Sequence, residues 1–453
     1  MPVSEVKLPE PMTSPCGITG WMGSGVAVGT GVGVAVGTGA AGLYCALNLP
    51  ARYRILLLTK QKADESDSFL AQGGICMQHG EADYRPFFDD TMRAGHYENN
   101  PATVDLMIRS SNSIIRDLVR RGVRFARDDH GALRFTREGA HSRPRILFHE
   151  DITGHEITQT LLNEVLRCEN IELREHTTLL DFFADASACG GVIVAGPDGE
   201  PRAIGAGAVV LACGGIGGLY KNSTNFPHIT GDAIAMALRH GVACEHLDYI
   251  QIHPTTLYSH QKGRRFLISE SVRGEGALLL DKNGNRFTNE LQPRDVVSAA
   301  IRAQMEKDGT DHVWEDMRPI GEAAIREHFP NILERCEEEG YDPIHEPIPV
   351  VPAQHYFMGG ITADLSSRTA LPRLYACGET CCNGVHGRNR LASNSLLESL
   401  VFAQRAADDI LYGEPPVFTG DKPDLAPYRE QEPLFAAYRQ EVLTAIERSK
   451  NHE

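Results

Sequence analysis

The chain has 453 residues, 44 Lys and Arg against 60 Asp and Glu, and a formal net charge of -16. That length exceeds what one hydrophobic core usually spans, and a hydrophobic share of 42% with 23% charged residues excludes a disordered, collagenous or coiled-coil chain. An acidic surface without a dense basic stripe repels phosphate backbones, so no nucleic-acid partner is expected.

The cysteines stand at Cys16, Cys45, Cys76, Cys168, Cys189, Cys213, Cys244, Cys336, Cys377, Cys381 and Cys382, with no C-x-x-C pair and no histidine run at zinc-finger spacing. They read as scattered reduced thiols of a cytoplasmic protein, with no metal or iron–sulfur site. From Pro11 to Ala51 the chain carries no charged residue, but glycine interrupts the run at nearly every second or third position, and neither a membrane span nor a signal peptide is expected. Residues 1–24 read as a flexible tail.

The uncharged run holds a near-repeat, Gly25 to Gly31 followed by Gly33 to Gly39. Only the second copy has a further glycine three residues on, at Gly42, so the first reads as a tandem duplication or a sequence error and not as a second phosphate site. The second copy is a short apolar strand, Val34 to Val36, entering G-x-G-x-x-G at Gly37, Gly39 and Gly42 and then a helix-like Leu43 to Leu49. Gly37 permits the tight turn, Gly39 lets backbone approach a pyrophosphate, and Gly42 lets helix pack on strand, while the helix N-terminus offers N–H groups to the anion. The motif alone is weak. The next strand, Arg54 to Lys60, ends in Thr59-Lys60 and lacks the acid that usually grips a ribose.

Beyond it, strands and helices alternate in the α/β manner. An amphipathic helix is expected over 102–121, a buried strand over 206–213, a helix over 232–241 and a strand over 373–378. Two more glycine turns follow strands, one at Gly214 to Gly218 and one at Gly378-Glu379. The latter can set an acid on a ribityl chain or ribose; either can equally be a plain turn.

The stretches Ala71 to Ile75, Thr136 to Ser142, Asp151 to Gly154, Gln251 to Thr255, Arg273 to Gly276, Pro293 to Asp295, Pro352 to Tyr356 and Gly387 to Glu398 add a family pattern. In this order they resemble the succinate dehydrogenase and fumarate reductase flavoproteins, and among these most closely the L-aspartate oxidases. The likeness runs from Val34 to Leu411. It implies an α/β fold with an FAD-binding Rossmann-like domain of the glutathione-reductase type, built from 25–232 and 353–412, and an inserted α+β capping domain over 233–352. The site would lie between the two. Residues 413–453 would be a reduced form of the family's C-terminal helical domain. Membrane-associated members hold flavin covalently through a histidine just before the A-Q-G-G stretch. Here Asp67-Ser68-Phe69-Leu70 precede it, so non-covalent FAD is implied.

The resemblance also assigns the site. For the cofactor it implies Gly37, Gly39, Ala41 and Gly42 on the pyrophosphate and Lys60 near the adenosine ribose. Ser68, Gln72, Gly73 and Gly74 would lie along the isoalloxazine and Asp232 beside the flavin. Glu379 would hold the ribityl chain, with Asn394, Ser395 and Leu396 near the ring. A buried dicarboxylate needs cations or strong donors at each end: His355 and Arg390 would hold the α-carboxylate, His253 and Ser269 the other. Arg294 would be the acid/base, fed by Glu270 and Arg273, an unusual role for a group that normally stays protonated. Glu138 would read the substrate ammonium; Ala140 replaces a glycine usual in the family. Taken alone, His253 also reads as a core histidine beside a proline turn, Glu138 as an exposed loop acid, and Arg294 with Asp295 as a surface ion pair.

The implied activity is FAD-dependent oxidation of L-aspartate to iminoaspartate. The flavin would be reoxidised by O2 or by fumarate, and the product would feed quinolinate and NAD synthesis, with functional coupling to quinolinate synthase. Two other readings stay open: a soluble fumarate reductase or succinate dehydrogenase flavoprotein, which Glu138 would separate from the first, and a flavin-binding protein without turnover.

Overall fold

The computed structural model describes residues 32–260, 263–413 and 416–451. The 1–24 tail and the first glycine-rich copy, Gly25 to Gly31, lie outside the described residues. Five parallel strands form the central sheet, in the order Leu374–Ala376, Ala208–Leu211, Val32–Val36, Arg54–Leu58 and Ile171–Arg174. Parallel strands covered on both faces read as unbroken apolar runs. Ile55 to Leu58 and Ala208 to Leu211 are such runs, buried at every position.

One face of this sheet carries the helices Ala40–Leu47, Pro101–Arg121, Thr153–Val165 and Asn394–Tyr412 over a continuous apolar core. The other carries an antiparallel meander of Thr178–Ala184, Cys189–Ala195 and Pro201–Gly205, with the helices Asp232–Arg239 and Gln431–Lys450 packed beside it. The helix expected over 102–121 spans Pro101–Arg121. Asn100 Oδ1 accepts from Ala102 N at 3.0 Å, Pro101 fills a first position that needs no N–H, and Gly122, at φ 105°, closes the other end. Its buried stripe includes Met107, Ile108, Ile114, Ile115 and Leu118. Each such side chain contributes about 1.5–3 kcal/mol, and Ile115→Ala would cost about 2–5 kcal/mol.

The strands expected over 206–213 and 373–378 are shorter, Ala208–Leu211 and Leu374–Ala376. Their last residues leave the sheet because glycine turns begin there. The helix after the glycine motif starts at Ala40, since Gly39 occupies the capping position.

A second lobe has its own core. Its antiparallel sheet runs Ile250–Leu257, Ile348–Phe357, Val313–Asp316, Leu278–Leu280. The helices Arg294–Asp308, Glu322–His328 and Pro330–Glu338 close over it through Ile268, Val297, Ile301, Ile332 and Ile348. No helix among the described residues is long and apolar enough to cross a membrane.

Candidate active site

The central strands all end in turns at one edge of the sheet, Gly37 after Val36, Cys213-Gly214 after Leu211, and Cys377-Gly378 after Ala376. Ligands of open α/β sheets bind at this carboxyl edge. Gly37 has φ 118°, and a Cβ there would stand 2.0 Å from Ala212 O; a Cβ on Gly42 would stand 2.0 Å from Gly37 O. The first and third glycines of the motif are therefore backbone approaches that admit no side chain.

A cavity runs along this edge and reaches the capping lobe. Its wall holds Gly37, Gly39, Ala41, Lys60, Ser68, Gln72, Gly73, Gly74, Asp232, Glu379, Ser395 and Leu396. The same wall holds Glu138, His253, Ser269, Glu270, Arg294, His355 and Arg390. Three expected residues stand behind it. Gly42 lies under the turn, Arg273 is wholly buried behind Glu270, and Asn394 Nδ2 turns to Thr91 Oγ1 at 3.2 Å.

In the cofactor part, Lys60 Nζ donates to Asp232 Oδ2 at 2.8 Å and to His228 O at 3.2 Å. Lys60 and Asp232, expected at the ribose and beside the flavin, thus share one end of the cavity. Ala40 N donates to Ser68 Oγ at 3.0 Å. Glu379 Oε1 accepts from Phe357 N at 2.9 Å; burial, and then the charge of Asp67, push this carboxyl up to about 8. Thr38 Oγ1, Ser66 Oγ, Asp67 Oδ2 and Gln72 Oε1 are buried in this wall without a hydrogen-bond partner among the described residues. Glycine cradles and orphaned polar atoms along an elongated cavity fit a large molecule with phosphates, hydroxyls and amide edges.

In the other part, Arg294 is buried, so it is not the surface ion pair its sequence context allows. Its Nε donates to Glu270 Oε2 at 2.5 Å and its Nη1 to Gln251 Oε1 at 2.9 Å. Arg273 Nη2 stands 3.6 Å from the same Glu270 oxygen. Arg390 also reaches Gln251 Oε1, at 3.3 Å, and its guanidinium lies 4.3 Å from the Tyr356 ring centroid. Among the described residues Arg390 has no carboxylate partner, and burial, then repulsion from Arg294, lower it to about 10. Burial and the nearby Arg294 charge also hold His253 and His355 well below the ordinary histidine range, so both are neutral. His253 Nδ1 stands 3.0 Å from Thr255 O and 3.2 Å from Thr255 N, and His355 Nδ1 stands 2.7 Å from Thr224 Oγ1. Among the described residues His253 Nε2 is buried without a partner. Ser269 Oγ caps Ser271 N at 3.2 Å, which leaves its hydroxyl proton for a ligand.

Glu138 is 3% exposed, not the solvated loop acid its neighbours suggest. Ser271 Oγ donates to its Oε1 at 2.8 Å and Ser393 Oγ to its Oε2 at 2.6 Å. Burial, then the charge of Glu270, push the Glu138 carboxyl up. A cation beside it would reverse that shift.

An FAD binding domain model matches residues 33–396. The chain is 48% identical to an L-aspartate oxidase of Clostridium perfringens, over 82% of this chain and 84% of that protein. It is 44% identical to an L-aspartate oxidase of a Nostoc species, over 89% and 73%. The chain belongs to the L-aspartate oxidase family. Among solved structures, a quinol-fumarate reductase with bound menaquinol superposes with a TM-score of 0.80 at 32% identity, covering 90% of this chain and 74% of that one. An E. coli quinol fumarate reductase gives 0.78 at 30%, covering 91% and 74%. As a member of this family the chain is an FAD-dependent oxidoreductase, with FAD as its cofactor.

Several residues of this oxidase-family site carry no signal of their own in the sequence. Ser271 and Ser393 hold Glu138, Thr224 orients His355, and Gln251 links the two arginines. Gln251 and Ser393 sit inside stretches the resemblance rests on, but Thr224 and Ser271 do not. Arg145, fully buried between Asp83 and Asp90, also donates to His141 Nδ1 at 2.8 Å and so braces the loop that carries Glu138.

Proposed function

We propose that this chain oxidises L-aspartate to iminoaspartate with non-covalently held FAD and O2 or fumarate as electron acceptor, as the first step of NAD synthesis through quinolinate. The observation that carries the reading is Glu138, an acid buried in the same wall as Arg294, Arg390, His253 and His355. Two cations and two imidazoles suit two carboxylates, and Glu138, which has no arginine partner among the described residues while Glu270 is taken by Arg294, suits one ammonium. A succinate site would need no such acid. The absence of a histidine at Asp67 to Leu70 supports non-covalent binding.

Arg390 and His355 hold the α-carboxylate, and His253 Nε2–H with the Ser269 hydroxyl holds the other. Leaving either carboxylate buried and unpaired would cost several kcal/mol, so both ends select for a dicarboxylate. Glu138 accepts hydrogen bonds from the ammonium. FAD, when bound, takes the two electrons that leave the substrate and passes them to O2 or fumarate. The departing proton goes to Arg294, which hands its Nε proton to Glu270 as it takes one up, with Arg273 behind. FAD would be held by the residues along the edge of the FAD-binding lobe and the substrate by those facing the capping lobe, within the cytoplasm, where quinolinate synthase would consume the unstable imine.

Anaerobic addition of L-aspartate and of succinate to separate FAD-loaded samples tests this. Loss of absorbance at about 450 nm is expected with aspartate and not with succinate. Bleaching by succinate alone, or by neither, would overturn the reading.

A further inference from the structure

Asp295 follows Arg294 at the start of the helix Arg294–Asp308, with its side chain 39% exposed. Among the described residues its side chain makes two bonds, both to the FAD-binding lobe. His96 Nε2 stands 3.0 Å from Asp295 Oδ2, and Asn389 Nδ2 donates to Asp295 Oδ1 at 3.2 Å. Asn389 Oδ1 in turn accepts from Gln251 Nε2 at 2.8 Å, and Gln251 Oε1 accepts from Arg294 Nη1 at 2.9 Å. Arg294 and Asp295 are chain neighbours, so these contacts close a ring. It fixes the arginine twice, by its backbone through Asp295 and by its guanidinium through Gln251.

The loop that offers His96 is strained. His96 at φ 59° and Tyr97 at φ 62° are consecutive non-glycine residues in the left-handed region, at a cost of about 1–2 kcal/mol each. Surrounding bonds hold them there. Tyr97 N donates to Met92 O at 2.8 Å, Asn100 N to Gly384 O at 2.7 Å and Arg388 N to Gly95 O at 3.2 Å. Asn389 Nδ2 bonds Ala94 O at 3.2 Å as well. His96 and Asn389 therefore belong to one knitted pair of loops on the FAD-binding lobe. Asp295 and Arg294 belong to the capping lobe, where Ser298 Oγ ties their helix to Ile252 O at 3.2 Å.

We propose that Asp295, gripped by His96 and Asn389 across the two lobes, is a positioning residue that sets Arg294 for proton transfer. This rests on the assignment of Arg294 as the group that moves the proton. A displacement of about 1 Å at a reacting group can cost about 100-fold in rate, and Asp295 is the residue through which the FAD-binding lobe sets the backbone of Arg294, as Gln251 sets its guanidinium.

The test compares Asp295→Ala, Asp295→Asn, His96→Ala and the Asp295→Ala/His96→Ala double variant, all FAD-loaded. The rate of anaerobic flavin bleaching by L-aspartate is measured with the KM, the FAD Kd and the melting temperature. Asp295→Ala should lose about 10–100-fold in rate while KM and FAD Kd stay within about threefold. Asp295→Asn keeps an oxygen for Asn389 and should recover most of that loss. His96→Ala should lose less, and the double variant no more than Asp295→Ala, because the residues act as one unit. A rate for Asp295→Ala within about twofold of wild type, an Asp295→Asn as slow as Asp295→Ala, a parallel loss of FAD affinity, or a double-variant loss equal to the product of the singles would each overturn the proposal. Arg294→Leu is the control: if it still bleaches, the assignment of Arg294 fails, whereas if it is dead and Asp295→Ala is normal, only the clasp fails.

Discussion

Arg294 and Glu270 meet inside the protein as a charge-assisted pair, Nε to Oε2 at 2.5 Å, with Arg273 behind the same oxygen. Burial pushes the Glu270 carboxyl up, but the charges of Arg294 and Arg273 and the hydrogen bond outweigh it and hold the group below its ordinary range. Glu270 is thus an ionised base in direct contact with the proposed acid/base. Arg294→Leu should keep FAD yet lower both aspartate oxidation and fumarate reduction by about 10²–10⁴-fold. Steady-state assays with each substrate check this, and more than a tenth of wild-type turnover would remove Arg294 from the proton path. Leaving Glu270 buried with only Arg273 should also lower stability, so the melting temperature belongs with the assay.

Glu138 has both oxygens engaged by serine hydroxyls, which fixes its plane and leaves its remaining lone pairs for a donor from the substrate. Glu138→Gln keeps the volume, since Gly73 already stands so close that a Cβ there would be 2.5 Å from Oε1. It removes the charge and one acceptor. A hydrogen bond to a charged group contributes about 1.5–3 kcal/mol, so kcat/KM for L-aspartate should fall about 10–150-fold. Fumarate, which has no ammonium, should lose far less. Equal losses on both substrates would show that Glu138 does not read the amino group.

The fold and the cofactor edge were legible because they are local: the spacing Gly37, Gly39, Gly42 after a short apolar strand encodes a turn that is sterically closed to side chains at Gly37 and Gly42. The Pro101–Arg121 helix announced itself over 102–121 by its amphipathic periodicity, which is local in the same way. The site was legible only through the family pattern. Ser271 and Ser393 reach Glu138 across 133 and 255 positions, and Asp232 reaches Lys60 across 172, separations at which no spacing rule operates. Arg294-Asp295 illustrates the converse. Adjacent opposite charges suggest a solvated pair, whereas the helix start sends one side chain into the site and the other across to His96.

Ala140 sits at φ 65°, a left-handed conformation that costs an L residue about 1–2 kcal/mol and glycine nothing. Glycine also gains about 0.4–1 kcal/mol of freedom in the unfolded chain. Ala140→Gly should therefore stabilise the protein by about 0.5–1 kcal/mol, and Ala140→Val should destabilise it. Urea unfolding midpoints decide the matter: a glycine variant less stable than wild type would show that the methyl contact, not the backbone, governs this position.

His141, beside that loop, donates from Nε2 to Ala392 O at 3.0 Å and accepts at Nδ1 from Arg145. Burial, then the Arg145 charge, lower it to about 4. Because the folded value lies below the unfolded one of about 6.5, the unfolded chain takes the proton first. The stability tied to the neutral ring is present above pH 6.5 and is lost as pH falls toward 4, by about 3 kcal/mol. Unfolding free energies at pH 7, 5 and 4 for wild type and His141→Gln isolate this contribution. The wild type should lose more over that range, and parallel slopes would refute it.

Glu379 and Asp67 share the cofactor cavity, and burial, reinforced at Glu379 by the Asp67 charge, raises them to about 8 and about 7. Near neutral pH the apoprotein therefore holds a proton largely on Glu379 and only partly on Asp67. A ribityl hydroxyl donating to Glu379 favours its ionised form, so FAD binding should release a proton. With the free value raised and the bound value lower, the FAD Kd should fall as pH climbs from 6 to about 8, by up to about tenfold per unit, and level off above. Glu379→Gln cannot ionise, and its Kd should be weaker and flat over the same range. Titration of apoprotein with FAD, followed by flavin fluorescence at pH 6, 7, 8 and 9, measures both curves. A flat wild-type curve would take Glu379 out of contact with the cofactor and leave its burial without the partner assigned to it.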